Sequence, residues 1–295
     1  MIKITKKELE AAEFLVKSKI PSFPLSVFTN PLFAKYNLMP NKIPQNFIKY
    51  FSIISAFAHN KLEGKTLLDV GCGLGILLAQ AKSLGIEPKG IDIFVEYENN
   101  CYSMATEILK HYGISEVESK TLLQYSDITN LDKSFFNKFD YAVSIGMLEH
   151  ISGKNARDNV ICNIFKSLKS GGYMLLVCGP NKYFPVDLHH YGPKFIFYHT
   201  FPDYIKKYYL KFFGKPEFGT DPTWLNGIRV NEIEKAIKIV DKNAEIMQAF
   251  PLLFQIGLKR EWMKNSVVNK TIMMFSKLLT KMKIEPVIFI IARHS

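Results

Sequence analysis

No apolar run in this sequence approaches the roughly 20 residues that a helix needs to cross a bilayer. Met1 to Glu13 mixes acids among its lysines with no apolar run behind them, so no signal peptide is expected. Cysteine is scarce. Cys72, Cys101, Cys162 and Cys178 lie far apart with no Cys-x-x-Cys pair. That excludes a disulfide framework or a thiolate zinc site as the organising device and fits a reducing cytosol. His189, His190 and His199 lack a helical ligand spacing, so no metal site is expected. No Ser–His–Asp arrangement, internal repeat or low-complexity tract can be read. What is present is core material: of 295 residues, 47% are apolar and 22% charged, which excludes disorder and fibres. The length suits one large α/β domain with a small lobe, or two modest domains.

Net charge is +11. The excess lies in the first 64 residues, in 181–220 and in 254–295, while the middle is near neutral. Two readings stand. One is a solubility surface; the other is an anionic partner such as a phosphorylated substrate, acidic lipid or nucleic acid. The expected location is cytoplasmic, with the inner membrane face as a peripheral site.

Residues 6–20 have the pattern of a helix, five prolines between 21 and 44 break the chain, and a helix resumes near Gln45 and runs to His59. From Lys65 the pattern alternates. Strands are expected at Thr66–Val70, Lys89–Ile93, Ser119–Tyr125, Phe139–Ile145 and Tyr173–Cys178. Helices are expected at Ile76–Leu84, Glu96–His111 and Arg157–Leu168. Such alternation implies a parallel sheet with helices on both faces. Residues 181–230, rich in Tyr, Phe, His, Pro and Gly, read as a cap. A helix at Glu232–Val240 and strands near Glu245–Phe250 and Pro286–Ala292 follow. Between those strands, 258–283 is amphipathic, with Val268, Ile272, Phe275, Leu279 and Met282 on one stripe and Lys270, Lys277, Lys281 and Lys283 elsewhere. Such a helix packs on its own protein or lies on an anionic membrane.

The informative run is Leu67-Leu68-Asp69-Val70-Gly71-Cys72-Gly73-Leu74-Gly75, where the first strand turns into a helix. Open parallel sheets bind ligands at this kind of switch point. The spacing is Gly-x-Gly-x-Gly. The dinucleotide fingerprint needs a small third residue where Ile76 stands. Asp69 precedes the first glycine by two and suits an ammonium better than a pyrophosphate. Asp92, followed by Ile93, ends the second strand and can accept both ribose hydroxyls. Asp127, followed by Ile128, comes after the third strand, in reach of an adenine amino group. Three acids at successive strand ends describe a cationic, adenosine-bearing ligand, namely S-adenosylmethionine. Taken singly, each acid also reads as a turn former or helix cap.

Residues 65–180 resemble the core of class I S-adenosylmethionine-dependent methyltransferases. Leu67–Gly75 resembles the first motif, Gly90-Ile91-Asp92-Ile93 the second-strand acid, and Ser126-Asp127-Ile128 the adenine-contacting position. Phe139–Ser144 resembles the fourth strand, and Leu168–Tyr173 the turn into the fifth, with Ser170 where proline is usual. The resemblance implies an α/β, Rossmann-like seven-stranded sheet, mostly parallel, its last strand antiparallel, with helices on both faces. To this are added a helical N-terminal arm and cap insertions. It also implies S-adenosylmethionine as cofactor, bound by Asp69, Gly71, Gly73, Gly75, Asp92, Ile93, Asp127, Ile128 and Ser144. The domains expected are an arm over 1–64 and a methyltransferase domain over 65–295, with insertions at 181–230 and 254–283.

Methyl transfer from a sulfonium requires alignment of nucleophile, methyl and sulfur, and, for a hydroxyl, a proton acceptor. An Asn/Asp-Pro-Pro-Tyr motif after the fourth strand is absent, which disfavours adenine and cytosine amino groups as acceptors; an RNA-binding methyltransferase is favoured only by charge, and no recognisable RNA-binding motif supports a nucleic-acid partner. That place holds Glu149-His150. His150 is a candidate base or a loop-shaping residue, and Val143–His150 resembles the corresponding run of fatty-acid cyclopropane synthases, where a glutamate and a histidine belong to the active site. Pro180–His190 resembles bacterial methyltransferases of surface-polysaccharide synthesis, which makes Asp187 and His189 candidate acceptor-binding or catalytic groups. The leading expectation is O-methylation of a saccharide or lipid-linked molecule. The alternatives are a quinone-like or fatty-acyl acceptor, and a non-catalytic cofactor-binding module.

Overall fold

The computed structural model describes residues 4–21, 43–59, 61–94, 100–185, 198–213, 227–254 and 266–295. Helix α1 spans Lys6–Lys19. It begins at a capping box in which Thr5 Oγ1 accepts from the Glu8 N–H at 3.3 Å and Glu8 Oε2 accepts from the Thr5 N–H at 2.7 Å. Helix α2 spans Ile43–Phe57. Strand β1 (Thr66–Val70), helix α3 (Ile76–Ser83) and strand β2 (Glu87–Asp92) follow. Then come α4 (Cys101–His111), α5 (Glu116–Leu122) and β3 (Leu123–Tyr125). Strand β4 (Phe139–Ile145), α6 (Lys154–Lys166) and β5 (Leu168–Cys178) complete the alternating part. The remainder holds α7 (Asp203–Phe213), α8 (Val230–Val240), β6 (Glu245–Gln248), α9 (Ser266–Met282) and β7 (Ile288–Arg293).

The seven strands form one sheet in the order β3-β2-β1-β4-β5-β7-β6. All pairs are parallel except those made by β7, which runs antiparallel to β5 and β6. The expected mostly parallel sheet with helices on both faces is therefore the observed one. Because both faces are covered, the inner strands carry near-continuous apolar runs, as in Tyr173–Cys178 of β5 and Ile288–Ala292 of β7. In β7, Ile288, Ile290 and Ala292 join the core under α6 and α8, whereas Phe289 and Ile291 join the core under α1, α2 and α3. The two N-terminal helices thus pack directly on the sheet through Leu9, Val16, Phe51 and Ile54.

Several boundaries differ from expectation. Residues 116–122 are helical, and only Leu123–Tyr125 are strand. Ser115 caps that helix by accepting from the Glu118 N–H, with two glutamates in the first turn, a start signal that outweighed the β-favouring Thr121–Leu123. Strand β2 begins two residues early, and α6 begins three residues early. Strand β5 runs through Gly171-Gly172 instead of starting after it, with a register irregularity against β4. A Cβ on Gly172 would lie 3.0 Å from the Asp140 carbonyl, so glycine permits the strand to pass. Helix α4 is described only from Cys101; Glu96 lies outside the described residues. On α9 the buried position is Ser276, with Ile272 and Leu279 half-buried, while Phe275 and Met282 of the expected stripe are exposed.

Candidate functional site

The parallel strands β1, β2, β3, β4 and β5 end on one edge of the sheet, and the cofactor-binding candidates Asp69, Asp92, Asp127 and Ser144 lie at or just beyond those strand ends. Gly71, Gly73 and Gly75 have φ of +74°, +46° and +69°, a left-handed path that only glycine follows cheaply. The path brings the loop against the segment after β4. A Cβ on Gly71 would lie 2.7 Å from Met147 Cγ. Met147 therefore packs against the glycine loop, a neighbour that no local pattern in the sequence marks.

Asp69 is 4% exposed, and among the described residues no cation or donor meets its carboxylate. Burial, and then the nearby Asp92 charge, push its pKa up to about 8. Asp92 lies at the neighbouring strand end and is tied into the backbone. Its Oδ2 accepts from the Gly73 N–H at 2.9 Å and its Oδ1 from the Phe94 N–H at 2.7 Å. Ile93 beside it is 43% exposed. Asp127 is exposed two residues beyond β3, and its Oδ1 caps the following turn by accepting from the Thr129 N–H and hydroxyl, both at 2.8 Å. Ile128 is buried in the core. Asp127 therefore does serve as a turn former, with Oδ2 left for a ligand. Ser144 is fully buried near the end of β4, and its Oγ has no hydrogen-bond partner among the described residues.

On the acceptor side, Leu148–His150 form a single 3-10 turn that buries Glu149 and leaves His150 half-exposed. Asp187 and His189 lie outside the described residues. Asn181 is fully buried after a cis Gly179–Pro180 bond. Its Oδ1 accepts from the Tyr183 N–H, and the Tyr183 ring faces Arg229. Among the described residues, no cluster of His, Cys, Asp and Glu is arranged to hold a metal.

The geometry tests the expected ligand. A buried carboxylate without a counter-ion costs several kcal/mol unless it is protonated or meets a cation. Asp69 stands in that position beside a loop of close-approach glycines. Asp92 and Asp127 continue the row along the strand ends. The donor set fits a nucleoside that carries a positive charge.

The description of the mycolic acid cyclopropane synthetase family matches residues 54–207, just over half of the chain. Similar proteins include the tRNA (carboxymethyluridine(34)-5-O)-methyltransferase of Saccharomyces cerevisiae, 26% identical over 143 residues, or 48% of this chain and 46% of that one. The ubiquinone biosynthesis O-methyltransferase of Paraburkholderia phytofirmans is 34% identical over 96 residues, or 32% of this chain and 37% of that one. The matches thus span less than half the length of these relatives. Among solved structures, phosphoethanolamine N-methyltransferase 2 of Haemonchus contortus, in complex with phosphomonomethylethanolamine and S-adenosylhomocysteine, superposes with a TM-score of 0.50 at 17% identity. The superposition covers 99% of this chain and 61% of that one, a likeness of fold. The chain belongs to the mycolic acid cyclopropane synthetase family, on a class I S-adenosylmethionine-dependent methyltransferase fold.

Proposed function

We propose that the protein is an S-adenosylmethionine-dependent methyltransferase acting on an apolar acceptor of the quinone-like or fatty-acyl class. The carrying observation is Asp69, a buried carboxylate with no counter-ion among the described residues, next to the Gly71–Gly75 loop. When bound, the cofactor supplies an electrophilic methyl group on a sulfonium sulfur. Asp69 holds the ammonium of its amino-acid part. Asp92 keeps lone pairs beyond those used by Gly73 and Phe94, and these accept the ribose hydroxyls. Ile93, Asp127 and Ile128 border the base, and Ser144 lies beneath the site. His150, Asp187 and His189 are the candidate groups for positioning or deprotonating the acceptor. The proposed organisation is a methyltransferase domain over 65–295, with α1 and α2 as helices of an N-terminal arm packed on its sheet; the expected substrate cap over 181–230 lies in part outside the described residues.

Sequence alone placed a saccharide or lipid-linked hydroxyl first. The family match and the relatives acting in ubiquinone biosynthesis weigh toward the quinone-like or acyl class. Helix α9 supports contact with lipid: Met274, Phe275, Leu278 and Met282 are exposed beside Lys270, Lys277 and Lys281. No described helix is long and apolar enough to cross a membrane. The test is isotopically labelled S-adenosylmethionine incubated with the protein and cell extract, followed by mass spectrometry of the lipid, water-soluble and RNA fractions. Label in a lipid-soluble product supports this reading. Label confined to glycans or RNA overturns the acceptor class, and binding without label in any fraction leaves the non-catalytic module.

A further inference from the structure

Glu285 lies in the turn between α9 and β7 and is 0% exposed. Apart from its own backbone N–H, no donor reaches either carboxylate oxygen among the described residues. A buried carboxyl that no other residue's donor reaches is destabilising, so folding alone would favour an apolar side chain here. The nearby cation is already committed. Lys283 Nζ pairs with Glu234 and donates to Asn231 Oδ1 at 2.6 Å. Two more buried oxygens of this neighbourhood, Thr280 Oγ1 and Gln248 Oε1, also lack partners among the described residues.

The antiparallel pairing puts the start of β7 at the C-terminal end of β5, with Ile288 opposite Cys178. Asn181 grips the turn on both sides of Glu285. Its Nδ2 donates to the Lys283 carbonyl at 3.0 Å, and its backbone N–H donates to the Pro286 carbonyl at 3.5 Å. Glu285 therefore stands beside the Pro180–Asn181 segment, at the sheet edge where open α/β folds bind substrates. Glu149, after β4, approaches the same strand end from the cofactor side. Both carboxylates act on the Cys178 thiol, which burial first and these charges next push upward. Burial, reinforced by Glu234 and opposed by its own N–H and by Lys283, pushes the Glu285 pKa up to about 7. A carboxylate at that value is matched to proton transfer at neutral pH.

We propose that Glu285 is the proton acceptor of the acceptor site, receiving the hydrogen bond and then the proton of a phenolic hydroxyl seated over the end of β5. The assignment rests on the methyl-transfer reading above. The acceptor oxygen retains the electron pair of its O–H bond and uses it for the new O–C bond. The electrons of the broken C–S bond stay on sulfur, and the proton passes to Glu285 and then to water.

The test compares wild type with Glu285→Gln, Glu285→Ala and Glu285→Asp, using a prenylated catechol as the probe. Calorimetry measures S-adenosylmethionine binding, and catechol binding to protein loaded with S-adenosylhomocysteine. Turnover is followed from about pH 6 to 9. The expected result is unchanged cofactor affinity and an undiminished melting midpoint in Glu285→Gln. Turnover falls by about a hundredfold or more, and the bend near neutral pH disappears. Glu285→Asp restores part of the rate, and Glu285→Ala binds catechol more weakly. Glu285→Gln turnover near the wild-type rate with the same bend overturns the assignment. So does a wild type that binds cofactor without methylating catechol, which leaves the cofactor reading standing. Failure to bind cofactor overturns both.

Discussion

The Gly73 N–H donates to Asp92 Oδ2 across 2.9 Å, tying the glycine loop after β1 to the end of β2. The same carboxylate receives the Phe94 N–H, so one side chain fixes two loops. Asp92→Ala removes both anchors and the proposed acceptor of the ribose hydroxyls. Hydrogen bonds to a charged group contribute about 1.5–3 kcal/mol each. Calorimetry is expected to show cofactor affinity falling at least tenfold, with Asp92→Glu restoring part of it. Unchanged affinity in the alanine variant would remove Asp92 from the site.

Asp69 carries a pH signature of its own. Its pKa is raised from 3.8 to about 8, by burial and then by Asp92. Between those values the native side chain holds a proton that the unfolded chain releases. Its contribution to stability is therefore fully present below the lower value and is lost as pH rises through the higher one. Asp69→Asn is expected to flatten the decline in melting midpoint between about pH 4 and 8. Ligand binding has the opposite linkage. A cation beside Asp69 favours the ionised form, so wild type releases a proton at neutral pH on binding S-adenosylmethionine. Titrations in buffers of unlike ionisation enthalpy should show this release in wild type, beyond any residual release in Asp69→Asn. Equal release in both proteins would show that Asp69 does not meet the cation.

The cofactor side was legible in sequence because its information is local. Leu67–Gly75 encodes a buried strand, a side-chain-free turn and a helix start within nine consecutive residues, and Asp92 ends the next strand. The acceptor side was not. Glu285 reaches the end of β5 only because β7 runs antiparallel to it, and no short-range pattern encodes that pairing. Met147 lies against Gly71 by the same kind of long-range neighbourhood. The misplaced third strand has a different cause: Thr121–Leu123 has strand-like composition, but the helix is decided upstream, at Ser115 and its two glutamates. On α9, apolar periodicity identified the helix and half of its packed side: Ile272 and Leu279 of the stripe are half-buried beside the buried Ser276, whereas Phe275 and Met282 stay in solvent.

Gly71 is constrained twice, by its φ of +74° and by Met147. An added Cβ would sit 2.7 Å from Met147 Cγ and 2.8 Å from its Cβ. Left-handed backbone costs a non-glycine residue about 1–2 kcal/mol, and overpacking adds about 1–3. Gly71→Ala is expected to lower unfolding free energy by about 2–5 kcal/mol in urea and to weaken cofactor binding. Combining it with Met147→Gly should recover the steric share and leave the dihedral share. Full recovery in the double variant would show that backbone conformation at Gly71 matters little.

Helix α9 predicts a surface property separable from cofactor binding. Ser276 is buried, whereas Met274, Phe275, Leu278 and Met282 are each at least half exposed, next to Lys270, Lys277 and Lys281. An apolar strip bordered by lysines has the chemistry of an interfacial helix, in which apolar side chains enter the headgroup boundary and each lysine contributes about 1 kcal/mol against anionic lipid. Co-sedimentation with phosphatidylglycerol-rich vesicles is expected for wild type, and phosphatidylcholine vesicles should bind much less. Replacing the three lysines with glutamate should weaken that binding at least tenfold, and high salt should reproduce much of the loss in wild type. Cofactor affinity should not change, because none of these three lysines is among the groups proposed to hold the cofactor. Equal binding to neutral and anionic vesicles by wild type and the charge-reversed variant would mean that α9 is not a membrane-facing element.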